Sequence, residues 1–296
     1  MPEPFPYVLN VISSEADALA GPLRAAVAVH TAAGDVSWLA PERAFDIPFL
    51  DRPAEVVVAA RATAARIPAD INMVPAANRR KKLLIADMDS TIIGCECLDE
   101  LADMAGLKAK VAPITEAAMR GEMEFEPALR ARAALLKGVP VEALKRVYQE
   151  RVRLNPGAEA LVATMRAHGA ATMLVSSGFT YFTRAVAAAC GFHSEQANEL
   201  LQEDGKFTGL VAEPILGRDA KLRALSEAVA ERNLDFADVI AVGDGANDLG
   251  MIARAGLGVA WHAKPILAAA ADAVIAYADL TALLYLQGYR LEELRA

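Results

Sequence analysis

Lys81-Lys82-Leu83-Leu84-Ile85-Ala86-Asp87-Met88-Asp89-Ser90-Thr91 decides how the rest of the chain reads. Leu83 to Ala86 is an apolar run bounded by polar residues and too short for a helix of its own, so it reads as a buried strand of a parallel sheet. Two carboxylates, Asp87 and Asp89, follow where the strand ends, and in open α/β sheets ligands bind beyond the carboxyl ends of the strands. Residues i and i+2 of an extended segment point to the same side. Two acids aimed at one spot repel each other unless a cation lies between them or one keeps its proton. The pair therefore suggests a hard metal, a proton-transfer role, or both. Taken alone it reads equally well as a strand end with a hydrogen-bonded turn.

Downstream, helix formers dominate from Glu96 to about Arg153. Leu98, Leu101, Ala102 and Ala105 recur at helical spacing, and Gly106, Gly121 and Gly138-Val139-Pro140 cut the stretch into short helices. A helical insertion directly after such a strand end is suitably placed for a lid. Asn155-Pro156-Gly157 restarts an α/β pattern, with a helix from Gly157 to about His168. A second apolar strand, Ala171 to Val175, ends in Ser176-Ser177-Gly178-Phe179, and a helix from about Tyr181 to Cys190 follows. Asp204-Gly205 is a hairpin signal, and Arg218-Asp219-Ala220-Lys221 opens another helix. A third strand, Val239 to Val242, ends in Gly243-Asp244-Gly245-Ala246-Asn247-Asp248. Gly258–Trp261 and Ala273–Ala276 complete the series. Strands alternating with helices predict an α/β, doubly wound parallel-sheet core.

Upstream, Tyr7 to Ile12 alternates as a strand and Ala16 to Val27 reads as a helix. Val36–Leu39 and Val56–Ala59 read as strands or helical turns, Ala59 to Ile67 as helix, with prolines at 41, 48 and 53 as breaks. The division expected is a small N-terminal α+β domain over 1–78, a core over 79–93 and 154–296, and a helical cap over 94–153. The N-terminal domain carries no recognisable chemistry and reads as a scaffold or dimerisation element, so a homodimer is one expectation. Of 296 residues 54% are hydrophobic, which supports a packed core, and the net charge of −8 with Arg79-Arg80-Lys81-Lys82 as the one basic cluster argues against nucleic acid. No apolar run is long enough to span a bilayer, and the first residues, with Glu3 and early prolines, lack a signal core. Cys95, Cys97 and Cys190 cannot pair completely, and Cys95-x-Cys97 lacks a second ligand pair for zinc. Free thiols in the cytoplasm are expected.

If the three motif-bearing strands share one sheet, their endings meet on its carboxyl edge. Asp87, Asp89, Asp244 and Asp248 then form an acidic cluster that is costly without a cation, and oxygen ligands alone favour Mg²⁺. Each piece also has a plain reading. Ser176 can be a helix cap, Gly243 to Gly245 a turn, and Lys221 a surface lysine. It is their joint occurrence in this order that points to a site.

Asp87-Met88-Asp89-Ser90-Thr91, Ser176, Lys221 and Gly243-Asp244-Gly245-Ala246-Asn247-Asp248 together resemble the four motifs of the haloacid dehalogenase superfamily, phosphatase branch. Glu96, Phe125-Glu126, Leu129-Arg130-Ala131-Arg132 and Ser176-Ser177-Gly178-Phe179 carry a closer resemblance to its members that hydrolyse O-phosphoserine. The resemblance runs from about residue 72 to the C-terminus, and Ser177 stands where that family often has glycine. The N-terminal part loosely resembles the regulatory, ACT-like domains of some members. The resemblance implies a HAD-like Rossmannoid core with its cap inserted after the first strand. It implies Mg²⁺ held by Asp87, the Asp89 backbone carbonyl and Asp244, with Asp248 supporting them and orienting Lys221. Asp87 is then the nucleophile and Asp89 the acid and base, while Ser176, the backbone at Ser177 and Gly178, Lys221 and Asn247 bind the phosphoryl group. In the cap, Glu96 is expected to read the substrate ammonium and Arg132 its carboxylate. Two rivals stay open: action on another small phosphomonoester, and an amino-acid-binding regulator without turnover.

Overall fold

A computed structural model describes residues 5–14, 35–51, 54–63, 67–119 and 122–296. Its strands are β1 (Tyr7–Ser13), β2 (Ser37–Ala40), β3 (Ala44–Phe49), β4 (Ala69–Pro75), β5 (Leu83–Ala86), β6 (Ala171–Phe179), β7 (Ser194–Asn198), β8 (Leu200–Glu203), β9 (Lys206–Val211), β10 (Val239–Gly243), β11 (Leu257–Trp261) and β12 (Ala273–Ile275). The quoted apolar run is β5, at the centre of a parallel sheet of order β12-β11-β10-β5-β6-β7. All four of its residues are buried because both faces of the sheet are covered. Leu84 and Ala86 join a core with Phe179, Phe182 and Tyr285, while Leu83 and Ile85 join one with Leu225 and Met251. Ala86 is level with Val242 on one side and Leu174 on the other, so Asp87, Ser176 and Asp244 each follow within two residues of one level across the sheet. This shared level is what brings the three motifs to one place.

The insert after β5 forms helices at Cys97–Met104, Lys108–Met119, Phe125–Leu135 and Glu142–Glu150. The Asp204-Gly205 hairpin, β8 with β9, is bonded to this cap: Gly138 N donates to Phe207 O (2.9 Å), Phe207 N to Val139 O (3.0 Å) and Val141 N to Gly205 O (3.0 Å). The cap is therefore assembled from two chain segments, of which the helical one was expected and the attachment of the hairpin was not.

The N-terminal residues form an antiparallel sheet of order β2-β3-β1-β4. A helix over Ala54–Thr63 supplies Val56 and Ala60 to the Leu9, Phe45, Ile47, Ile71 and Met73 cluster, which resolves Val56–Ala59 as helical. The expected helix over Ala16 to Val27 lies outside the described residues. The sheet docks on the edge strand β12 through side chains instead of a ladder. Asn72 Nδ2 donates to Val274 O at 3.0 Å and Val274 N donates to Asn72 Oδ1 at 2.9 Å, so one amide mimics a strand pair. Asp70 accepts the backbone N–H groups of Ala276, Tyr277 and Ala278. Arg79 forks onto Asp46 and donates to the Tyr285 and Leu286 carbonyls. A cut near residue 72 would split β4 and strip these bonds from the core. Among the described residues no helix is long and apolar enough to cross a membrane.

Candidate active site

Beyond β5 the chain makes a wide turn over Met88–Ile92, with Ile93 N bonded to Met88 O at 3.0 Å. Ser90 is in the left-handed region at φ 54°, which costs a non-glycine residue about 1 kcal/mol. The turn separates the two carboxylates. Asp87 Oδ1 accepts from Met88 N at 2.7 Å and meets Lys221 Nζ at 2.6 Å. Asp89 faces the other way along the edge, where Oδ1 accepts from Cys97 N (2.9 Å) and Oδ2 from Ser176 Oγ (3.0 Å).

Lys221 is 1% exposed, and its Nζ also lies 2.6 Å from Asp248 Oδ1. Asp248 is held in turn by the Asp244 and Gly245 amides through Oδ2, at 3.2 and 3.1 Å. A Cβ on Gly243 would overlap the Asp248 carboxylate, so this close approach requires glycine. The same holds on β6, where a Cβ on Gly178 would stand 2.9 Å from Asp89 Oδ2 and 3.0 Å from Ser176 Oγ. Gly178 N donates to Ser176 Oγ at 2.8 Å, so these two groups and Asp89 form one chain of hydrogen bonds.

Oxygen atoms of Asp87, Asp244 and Asp248 lie within 4.8 Å of one another. Burial, then the charge of Asp248, pushes the Asp87 carboxyl well up against the pull of Lys221. Burial also raises Asp89, and burial followed by Asp248 raises Asp244. Burial disfavours the Lys221 ammonium, yet Asp248 and Asp87 together outweigh it and hold the lysine above its ordinary value. One buried ammonium facing this many acids leaves negative charge in excess, and the donor set is all oxygen. The residues fit a hard divalent cation such as Mg²⁺. The side chain of Asp89 is outside the three-acid cluster; its oxygens accept from Cys97 N and Ser176 Oγ.

In the cap, Ser90 Oγ donates to Glu96 Oε1 at 2.7 Å, and burial, followed by the charge of Asp89, lifts Glu96 to about 7. Arg132 lies in the Phe125–Leu135 helix and donates to its own helix at Ala128 O (3.3 Å). Burial lowers it, while Asp99 and Glu96 act on it through space. The structure thus brings Arg132 into the electrostatic reach of Glu96 without an ion pair between them among the described residues. Its neighbour Arg130 does pair, with Glu213 at 2.6 Å. Ser177 is half-buried and its Oγ lacks a partner, whereas its carbonyl accepts from Asn198. Asn247 is on the short turn Ala246–Asp248, its side chain beside Gly245. Sequence reasoning gave Ser90 no role although it stands in the first motif, and missed Asp99, the Cys97 amide and Asn198, because each acts through a neighbour.

Residues 84–253 match the family profile of haloacid dehalogenase-like hydrolase. A phosphoserine phosphatase of Archaeoglobus fulgidus is 43% identical over 232 residues, which are 78% of this chain and 67% of that one. A solved HAD family hydrolase of Salmonella enterica serovar Typhi superposes with TM-score 0.84 at 28% identity, covering 95% of this chain and 97% of that chain. The structure titled phospho-aspartyl intermediate analogue of phosphoserine phosphatase gives TM-score 0.65 at 38% identity over 69% of this chain and 98% of that one. The profile spans all three strand-end motifs, and this chain belongs to the haloacid dehalogenase-like hydrolases, as an enzyme of their phosphatase branch.

Proposed function

We propose that the chain hydrolyses O-phospho-L-serine to L-serine and phosphate through a phospho-aspartyl intermediate on Asp87, in the cytoplasm and as the last step in making serine. The observation that carries the choice of substrate is the Glu96–Arg132 arrangement. An acid beside Asp89 and a base within its electrostatic reach, not paired with each other, are what a substrate bearing an ammonium and a carboxylate on one carbon demands. An ordinary cap salt bridge would have closed the two onto each other.

In this reading Ser176 Oγ, the Gly178 amide and Lys221 Nζ bind the phosphoryl oxygens, with Asn247 and the Ser177 backbone lining the site. A phosphoryl group displaces the bond that now joins Gly178 N to Ser176 Oγ. Asp87 Oδ1 is held by Met88 N and Lys221, so Oδ2 is the oxygen aimed at phosphorus. As the P–O bond to serine breaks, Asp89 gives its proton to the departing oxygen. Its raised pKa keeps that proton available. Asp89 then takes a proton from water, the water oxygen attacks phosphorus, and phosphate leaves with Asp87 restored. Asp87, Asp244 and Asp248, with the Asp89 carbonyl, would hold Mg²⁺, which when bound supplies positive charge that screens the attacking carboxylate from the phosphate.

Phosphate release from a panel of monoesters tests the reading. With Mg²⁺, L-phosphoserine should give the highest kcat/KM, and exhaustive chelation should remove turnover, restored by Mg²⁺ and not by Ca²⁺, whose longer bonds and larger ligand set can engage both Asp87 oxygens. A flat panel favours the general phosphomonoesterase; absence of any release favours the binding regulator. The pH dependence gives a second check. Glu96 is protonated in the free protein below about 7, whereas an ammonium needs the carboxylate. The kcat/KM for phosphoserine, divided by that for an aryl phosphate, should therefore rise as pH climbs through about 7. Ionisations of the phosphoryl-binding residues are common to both substrates and cancel in the ratio. A ratio constant from pH 5 to 9, a window chosen to bracket the ordinary and raised carboxyl values, would remove Glu96 from substrate reading.

A further inference from the structure

The stretch that supplies Ser176 and Gly178 is not held by the sheet. β6 pairs with β7 through Val175↔Gln196 and then Phe179↔Asn198, so the ladder skips Ser176, Ser177 and Gly178 as a bulge. Bulges next to active sites re-aim side chains and leave backbone groups unpaired. Here one side chain takes up the carbonyl at the middle of the bulge, that of Ser177. Asn198, at the end of β7 and 2% exposed, donates through Nδ2 to Ser177 O (2.9 Å) and to Leu216 O (3.2 Å), and its Oδ1 accepts from Leu216 N at 2.7 Å. Both amide hydrogens and the acceptor oxygen are thereby engaged. Leu216 leads directly into the Arg218–Glu231 helix that carries Lys221. Between Asn198 and Leu216 runs the hairpin bonded to the cap.

We infer that Asn198 is a positioning residue: its buried amide clamps the Ser176–Gly178 bulge to the lead-in of the Lys221 helix, so that Ser176 Oγ, Gly178 N and Lys221 Nζ converge on one phosphoryl group. The same amide closes the base of the cap-attached hairpin, which fixes the cap's second segment relative to that group. Asn198 contacts neither Asp87 nor Asp89, and it acts only through Ser177 and Leu216. The inference rests on the phosphatase reading above.

The test compares Asn198→Ala and Asn198→Asp with the wild-type chain in Mg²⁺. It reads kcat and KM on phosphoserine and on an aryl phosphate, the Kd of orthophosphate by calorimetry, and Tm. Asn198→Asp keeps the size and the acceptor for Leu216 N but turns an oxygen toward two carbonyls, so it removes the clamp with the smallest change of shape. The expected result is folded protein at 25 °C with kcat down about 10²-fold, the scale of a misplacement of about 1 Å. The loss is equal on both substrates because both share the phosphoryl group, and the orthophosphate Kd rises about tenfold as that group's donors fall out of register. A fall in Tm with kcat and orthophosphate Kd within about twofold of wild type would overturn the inference and leave a merely structural amide. If Asn198→Ala does not fold, Asn198→Asp decides; failure of both to fold also assigns the amide a structural role and overturns it. A wild-type chain that binds orthophosphate but releases none from any ester refutes the phosphatase reading alone, since the calorimetric comparison still decides the clamp.

Discussion

Asp87→Asn gives a folded protein whose kcat on phosphoserine is lower by a factor of at least about 10³, because an amide is a far poorer nucleophile than a carboxylate. The fold survives for reasons visible in the site. The asparagine oxygen still accepts from Met88 N and from Lys221, the two partners of Asp87 Oδ1. The substitution also removes one buried negative charge from a place where burial and Asp248 already oppose it. Tm in the absence of metal is therefore unchanged or higher, the usual direction when an active-site charge conflict is relieved. The measurement is single-turnover phosphate release beside thermal unfolding. Near-normal release from pure Asp87→Asn would remove Asp87 from the nucleophile's role.

Arg132→Ala separates substrate reading from phosphoryl chemistry. Among the described residues its guanidinium has no ion pair, and Asp99 and Glu96 act on it through space. A substrate carboxylate would give it a charge-assisted, forked partner. Loss of such a contact in a desolvated site costs about 2–4 kcal/mol in transition-state binding, or roughly 30- to 10³-fold in kcat/KM. An aryl phosphate lacks the carboxylate and should change by less than about threefold. Glu96→Gln should show the same asymmetry through the ammonium, and its retained bond from Ser90 keeps the local turn in place. Equal losses on both substrates would make the two residues props of the cap. The Asn198 variants carry the opposite signature, with equal losses expected, so the two sets of kinetics tell cap reading from phosphoryl positioning.

The strand edge that gathers the motifs was legible because its residues obey local rules. Two apolar runs of strand length end in carboxylates and a third in Ser-Ser-Gly-Phe, and in one parallel sheet of an alternating α/β pattern the three endings meet on one edge. The cap helices were legible from helical periodicity between glycines. What escaped the sequence depends on contacts between distant segments. β3 and β4 carry Asp46, Pro48, Asp70 and Asn72, which read as loop residues, yet Asp46 is needed by Arg79 and Asp70 and Asn72 by the edge of β12. Edge strand β7, Ser-Glu-Gln-Ala-Asn, has no apolar alternation to announce it. Asn198 escaped notice, since the bulge it fills exists only once β6 and β7 pair. The departure of the Asp89 side chain from the three-acid cluster goes with the turn that begins at Met88, between the two acids, which the i, i+2 rule for extended chain cannot foresee.

The central claim is that Asp87 takes the phosphoryl group from phosphoserine. Rapid acid quench during turnover of L-phosphoserine with Mg²⁺, followed by peptide mass analysis, measures it directly. The account predicts one phosphoryl group on the peptide containing Asp87, on Asp87 itself, formed at least as fast as serine is released and absent from Asp87→Asn. Steady turnover of phosphoserine with no phosphorylated peptide at any quench time, or with the group on another residue, would contradict it.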